Sequence, residues 1–210
     1  MRLAIFGASG KIGSRIMKEA LERGHHVTAI VRHPEKITIQ NENLSVMKGN
    51  VLNVGEVASL ATGHDAVISA YGPDSRPQEL VDAAKSLLEG VKQSGVRRLI
   101  IVGGAGSLEA SPGKQLMDTP QFPTAWRPVA IAHRDAMNVF RMERELQWTF
   151  LSPAAFIEAG EKLGFYRIGE DRLITDSSGK SIISMEDFAV ALVDEVEHPK
   201  HIRRRFTVAY

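Results

Sequence analysis

Apolar positions along the chain follow two periods that take turns. Short runs rich in β-branched and aliphatic residues, at Leu3 to Phe6, His26 to Val31, Leu44 to Lys48, Ala66 to Ala70, Arg98 to Val102 and Thr149 to Leu151, read as strands. Between them the spacing turns helical. Lys11 to Arg23 places Ile12, Ile16, Met17 and Leu21 on one face, and Gln78 to Ser94 does the same with Leu80, Ala83, Ala84, Leu87, Leu88 and Val91. A short helix is predicted near Val54 to Ala61, bracketed by Asn53 and Gly63, and a longer one over about Val129 to Leu146. Gly24 and Gly95 supply helix stops. Strands alternating with helices at this spacing predict an α/β fold, a doubly wound parallel sheet in one domain over residues 1–210.

Two stretches break the alternation. Residues 103–127 carry Gly103, Gly104, Gly106, Pro112, Gly113, Pro120 and Pro123, and are read as a long loop. Long loops inside compact domains tend to be functional, so this segment is expected to face a substrate. Beyond Pro153 the pattern weakens into short pieces at Phe165 to Ile168 and Leu173 to Thr175, before a helix over Glu186 to Glu197 and a strand over Arg205 to Ala209. Residues 153–185 are the expected small C-terminal substrate-facing portion.

Composition narrows the chemistry. The chain has 210 residues, 26 Lys and Arg against 25 Asp and Glu, and no cysteine. A formal charge of +1 argues against a dedicated nucleic-acid binder, which needs a cationic surplus on one face. The absence of cysteine removes disulfides, zinc thiolates, Fe–S clusters and thiol nucleophiles, and a cytoplasmic location is expected. No stretch is long and apolar enough to span a bilayer, and Met1 to Phe6 leads into a glycine loop without the layout of a signal peptide, so the mature chain is expected to start at residue 1.

That glycine loop is Gly7-Ala8-Ser9-Gly10-Lys11-Ile12-Gly13, between the first strand and the first helix. Glycine permits unusual backbone angles and close approach of a pyrophosphate, and the helix N-terminus offers unpaired N–H donors at the positive end of a dipole. Gly7, Ala8, Ser9, Gly10, Lys11 and Ile12 are therefore expected to bind a dinucleotide, with Gly13 allowing the helix to pack closely on the sheet. The second strand ends at Val31 and is followed by Arg32, where an NAD site usually places an acid for the ribose hydroxyls. A cation there suits the 2′-phosphate of NADP(H), with His33 and Lys36 adding positive potential, so NADP(H) is preferred over NAD(H). The alternative is a solvated strand-end arginine. Asn50, Val51 and Leu52 after the third strand are expected to frame the adenine, and Ala70, Tyr71 and Gly72 after the fourth the ribose and pyrophosphate.

These motifs, together with Asp65 to Ala70, Val102 to Leu108, Trp148 to Pro153 and Arg205 to Tyr210, resemble the atypical short-chain dehydrogenase/reductase group with a Rossmann NAD(P)-binding fold. Within that group the chain is similar to the NADH-flavin reductases related to biliverdin-IXβ/flavin reductase and to NmrA-like proteins. One position departs: Asn50 stands where Asp is common. The resemblance implies hydride transfer from NAD(P)H to a flavin, quinone or similar planar small-molecule acceptor. It also leaves open a non-catalytic NADP(H)-binding redox sensor of NmrA-like type. An epimerase or dehydratase is disfavoured by the short C-terminal portion.

A missing pair supports a non-standard site. Short-chain dehydrogenases that act on alcohols use Tyr-x-x-x-Lys, yet none of Tyr71, Tyr166 and Tyr210 has Lys four residues on. Hydride transfer to a flavin or quinone asks less, because the acceptor ring delocalises the charge and water can supply the proton. On this reading Gly103 and Gly104 approach the nicotinamide, Ser152, Pro153 and Ala154 flank its carboxamide, and Ser107 and His133 are the candidate catalytic residues. Phe122, Trp126 and Phe156 are candidates to stack on the acceptor, each with a core role as its alternative. The histidines lack metal-ligand spacing, so no metal is expected. The run Arg203-Arg204-Arg205, near Glu195 and Glu197, is read as a solvated edge and not a nucleic-acid site. A homodimer through an exposed helix pair is compatible with the pattern.

Overall fold

The computed structural model describes residues 1–73 and 76–210. Its centre is an eight-stranded sheet of β1 (Arg2–Phe6), β2 (His26–Val31), β3 (Leu44–Lys48), β4 (Ala66–Ser69), β5 (Arg98–Val102), β8 (Gln147–Ser152), β10 (Arg167–Gly169) and β12 (Arg204–Ala209). The strand order is β10-β12-β8-β5-β4-β1-β2-β3, parallel throughout except that β10 runs against β12. Strands buried on both faces explain why each reads as an apolar run.

Helices α1 (Lys11–Glu22) and α5 (Met185–Glu197) pack together on one face, and α2 (Val54–Ala61), α3 (Glu79–Ser94) and α4 (Arg127–Arg141) cover the other. Two cores result. One gathers Ile5, Ile16, Phe188 and Phe206, and the other gathers Phe6, Leu87, Phe140 and Phe150. Local chemistry fixes the ends: Asn53 accepts the Glu56 amide to cap α2, Ser184 accepts the Asp187 amide to cap α5, and Gly95 closes α3 at φ 79°. The chain winds from β1 outward to β3 and then returns across β1 to β4, so the strand order reverses between β1 and β4. Open α/β sheets bind ligands at the carboxyl ends of strands at such a point.

Two expectations are corrected, and two local features go beyond them. The helix predicted to reach Leu146 ends at Arg141. Beyond it the Glu143 carboxylate accepts the backbone amides of Glu145 and Leu146 at 2.5 and 3.1 Å and pairs with Lys92 at 2.7 Å, turning the chain into β8. Residues 103–127 are not one open loop: β6 (Glu109–Ser111) and β7 (Lys114–Gln115) form a small hairpin, followed by 3-10 turns at Leu116–Asp118 and Thr124–Trp126. The short piece at Leu173 to Thr175 forms no strand; next to an isolated bridge between Glu109 and Arg172, the Leu173 amide donates to the Glu109 carbonyl at 3.0 Å. Finally, β9 (Phe156–Glu158) and β11 (Ile182–Ser184) form an unpredicted parallel pair beside the main sheet.

Candidate dinucleotide and acceptor site

Gly7 leaves β1 at φ 78°, and its amide donates to the Ile30 carbonyl at 3.0 Å. A Cβ there would lie 2.7 Å from the Ala70 carbonyl oxygen, so a side chain is excluded by both backbone angle and space. The Gly10 amide donates back to the Gly7 carbonyl at 3.0 Å, closing the turn. Gly10 then caps α1 with no side-chain hydrogen bond, and no acidic residue occupies the first turn. The first amides of the helix have no intrahelical acceptors, and the dipole favours negative charge at that end. The chemistry of this donor set fits a pyrophosphate.

A cleft of about 220 Å³ opens beside this turn. Gly7, Ser9, Gly10, Arg32, Asn50, Val51, Ala70, Tyr71 and Gly72 line it, which brings nine of the sequence candidates to one place. Phe6, Ile30, Val31, His33, Lys36 and Gly49 complete the wall. The Asn50 amide donates to Glu56 Oε2 at 2.8 Å, and Asn50 Oδ1 accepts the Leu52 amide at 3.1 Å, so this carboxamide shapes its own turn. The Tyr71 hydroxyl donates to Glu79 Oε2 at 2.6 Å. Burial first, then the Glu79 carboxylate, push its pKa up to about 12, against the opposing pull of Arg32. Glu79 had no sequence signal of its own; only the fold brings it to Tyr71.

Other candidates lie outside the cleft. Ala8 is sealed in the core, Lys11 is exposed at the first turn of α1, and Ile12 and Leu52 pack against the two cores. Gly103 and Gly104 end β5, and each is required by what lies beneath it. A Cβ on Gly103 would sit 2.0 Å from the Phe150 ring, and one on Gly104 would sit 2.9 Å from the His133 ring. His133 lines a small cavity with Ser69, Tyr71, Leu80, Phe140 and Phe150. Burial lowers its pKa to about 4, so the imidazole is neutral at pH 7.

Ser107 is buried, and its hydroxyl accepts from Arg205 Nη1 at 2.8 Å; it is not presented to solvent. Ser152, Pro153 and Ala154 are likewise buried, and Ser152 Oγ has no hydrogen-bond partner. The basic run is not a simple solvated edge either. Arg205 is buried and paired with Asp171, while Glu195 is committed to Arg98 at 2.9 Å and His201 at 2.8 Å.

The structure does bring the three aromatic candidates together. Phe122 and Trp126 meet edge to face with centroids 6.4 Å apart, and Trp126 meets Phe156 at 6.5 Å. Trp126 is 47% and Phe156 57% exposed. They belong to the segments that leave the carboxyl ends of β5 and β8, the same end of the sheet as the glycine turn. Among the described residues no group of His, Asp or Glu is arranged to hold a metal ion, and no helix is long and apolar enough to cross a membrane.

Known proteins share this architecture. Residues 7–199 match the family model described as NAD(P)H-binding. The chain is similar to the uncharacterized protein YwnB of Bacillus subtilis, with 41% identity over 99% of this chain and 98% of that one. A Bacteroides thetaiotaomicron protein named as a candidate epimerase superposes with TM-score 0.95 at 46% identity, covering 100% of this chain and 96% of the other. A Streptococcus pneumoniae protein named as a candidate NADH-flavin reductase superposes with TM-score 0.85 at 37% identity, covering 100% and 99%. With its glycine turn, uncapped first helix and strand reversal, the chain belongs to the NAD(P)H-binding family of Rossmann fold.

Proposed function

We propose that the protein is an NADPH-preferring reductase that passes hydride to a flavin, quinone or similar planar acceptor. The observation that carries this reading is the aromatic trio of half-buried Phe122 and exposed Trp126 and Phe156, set at the end of the sheet that holds the cofactor cleft. A flat conjugated ring is the ligand such a surface suits, because aromatic faces and edges give large contact area at low entropic cost. The similarity to the Streptococcus pneumoniae protein points the same way.

Each part of the chain has a role in this proposal. The Gly7 to Gly10 turn and the first amides of α1 hold the pyrophosphate. Arg32, with His33 and Lys36 in the same wall, meets the 2′-phosphate, and Asn50 and Val51 frame the adenine. Gly103 and Gly104 bring bare backbone up to the nicotinamide at the end of β5, over the Phe150 and His133 rings. When bound, the reduced nicotinamide supplies a hydride, and water supplies the proton that completes the reduced acceptor. The protein contributes orientation, which alone is worth several orders of magnitude in rate.

A second reading, the redox sensor, draws on a different observation: the Ser107 and Tyr71 hydroxyls are engaged and desolvation holds half-buried His133 neutral, so none stands ready as an acid. One experiment separates the two. NADPH and NADH oxidation is followed with FMN, FAD and quinones, for the wild type, Arg32→Glu and Trp126→Ala. Turnover that favours NADPH, loses that preference in Arg32→Glu and shows a raised acceptor KM in Trp126→Ala supports the reductase. Tight binding of NADPH without turnover on any acceptor moves the protein to the sensor class.

A further inference from the structure

Away from the cofactor cleft, the chain gathers cations where the sequence suggested only a solvated edge. Arg141 from the end of α4, Arg144 from the turn after it, and Arg203, Arg204 and Arg205 leading into β12 line one concave cleft of about 390 Å³. Two carboxylates, Glu170 and Asp171, share it. Asp171 is divided between Arg205 and Arg141, the latter at 3.7 Å, and Glu170 reaches Arg204 at only 3.9 Å. Among the described residues, Arg144 and Arg203 have no side-chain ion pair or hydrogen bond. Five guanidinium groups against two carboxylates leave a surplus of three positive charges in a chain whose whole net charge is +1.

The backbone holds this arrangement in place. Arg203 has φ 56°, the one positive value among the described non-glycine residues, and its amide donates to the Trp148 carbonyl at 2.6 Å. An L-residue at that angle is disfavoured, and glycine is the usual occupant. Here an exposed arginine takes it, in the wall of a cleft that four other arginines also line.

We propose that this cleft binds a small phosphate-type dianion. The planar fork of arginine matches two oxygens of a phosphate group, and convergence from three chain segments suits one compact multivalent anion. A carboxylate ligand brings a single charge and would compete less well with Glu170 and Asp171. The concave shape and small overall charge favour a small ligand over a nucleic-acid strand. Arg205 also ties the cleft to the segment after β5, because its Nη1 holds Ser107, three residues past Gly104.

The test is calorimetric titration of the full chain with inorganic phosphate and, separately, glycerol phosphate, at constant low ionic strength. The wild type is compared with the double variant Arg144→Ala/Arg203→Gly, in which the glycine also suits the backbone. Arg97→Ala, an exposed arginine outside the cleft, is the control. The expected result is one more phosphate bound per chain in the wild type and control than in the double variant, or an affinity at least tenfold higher. Tighter binding of glycerol phosphate identifies an organic phosphate ligand, and equal binding identifies free phosphate. In a Trp126→Phe background Trp148 is the remaining tryptophan, and its emission should change saturably with the same affinity. Equal stoichiometry and affinity in the wild type and the double variant, or a response that chloride reproduces, overturns the proposal; phosphate held at the cofactor cleft would give that equality.

Discussion

Two glycines of the same turn should fail in different ways. At Gly13 an added Cβ would stand 2.2 Å from the Gly7 carbonyl oxygen and 2.9 Å from its carbon. Both are backbone atoms fixed by the β1 to α1 turn, so relief requires α1 to move about 1 Å off the sheet, and overpacking of this kind costs up to ~3 kcal/mol. For a domain of this size that lowers Tm by about 6–12 °C. At Gly10 the Cβ would meet only the Gly7 carbonyl oxygen, at 3.3 Å, and the residue's φ of −74° suits alanine. Gly10→Ala should melt within about 4 °C of wild type, since a compatible Gly→Ala change is worth only ~0.4–1 kcal/mol. Its methyl group would nevertheless occupy the wall of the cleft where the pyrophosphate approaches. NADPH affinity should fall at least tenfold, a loss of about 1.4 kcal/mol. Thermal melts and fluorescence titration with NADPH measure both quantities. Gly10→Ala binding NADPH like wild type would refute this placement of the pyrophosphate, and Gly13→Ala melting like wild type would refute the packing argument.

Two further perturbations test the interior. Burial holds His133 neutral, with its pKa lowered to about 4, whereas an unfolded histidine protonates near 6.5. The unfolded chain therefore binds the extra proton, so the residue's contribution is complete above about pH 6.5 and is lost as pH falls toward 4, amounting to at most about 2 kcal/mol by pH 5. Urea unfolding at pH 7.5 and pH 5 should show the wild type losing up to that much more than His133→Gln; equal losses would count against the burial. Arg98 and Glu195 pair at 2.9 Å with side chains 7% and 3% exposed. Glu195→Ala leaves a buried guanidinium and should cost about 3–5 kcal/mol, whereas Arg98→Met/Glu195→Leu should cost clearly less. Similar losses in both variants would show that Glu195 acts mainly through the His201 ring and the Lys200 and His201 amides, which donate to its carboxylate at 3.0 to 3.2 Å.

The parallel strands were legible because burial on both faces writes each one as an apolar run, and the helices because one stripe of each faces the sheet. What the local pattern lacks is pairing over distance. Strands β9 and β11 have three residues each and exist only as partners, Phe156 opposite Ile182. The end of α4 was misplaced because Glu143 gathers Lys92 and the amides of Glu145 and Leu146, and helical spacing says nothing of that. The cofactor turn was legible because glycine chemistry is local. The fate of Ser107 was not, since its partner Arg205 lies 98 residues away. The aromatic residues were visible one by one, while their meeting depends on two loops leaving neighbouring strands.

The same long-range contacts bear on which reactions suit the site. Reduction of a ketone needs a group that gives a proton to the developing alkoxide. The Tyr71 hydroxyl keeps its proton, with a pKa of about 12, but donates it to Glu79. His133 is neutral and lies against Gly104 in an apolar cavity, so it holds no imidazolium proton at pH 7. Ser107 is turned to Arg205, and Ser152 is sealed from solvent. Such a site is poorly matched to an acceptor that needs acid in its transition state. It is well matched to one that carries the added charge on its own conjugated ring and draws its proton from water, and an exposed edge-to-face aromatic surface would orient that ring. For the proposed reductase, the contacts that occupy Tyr71 and Ser107 are therefore the reason a planar redox acceptor is the one to test first.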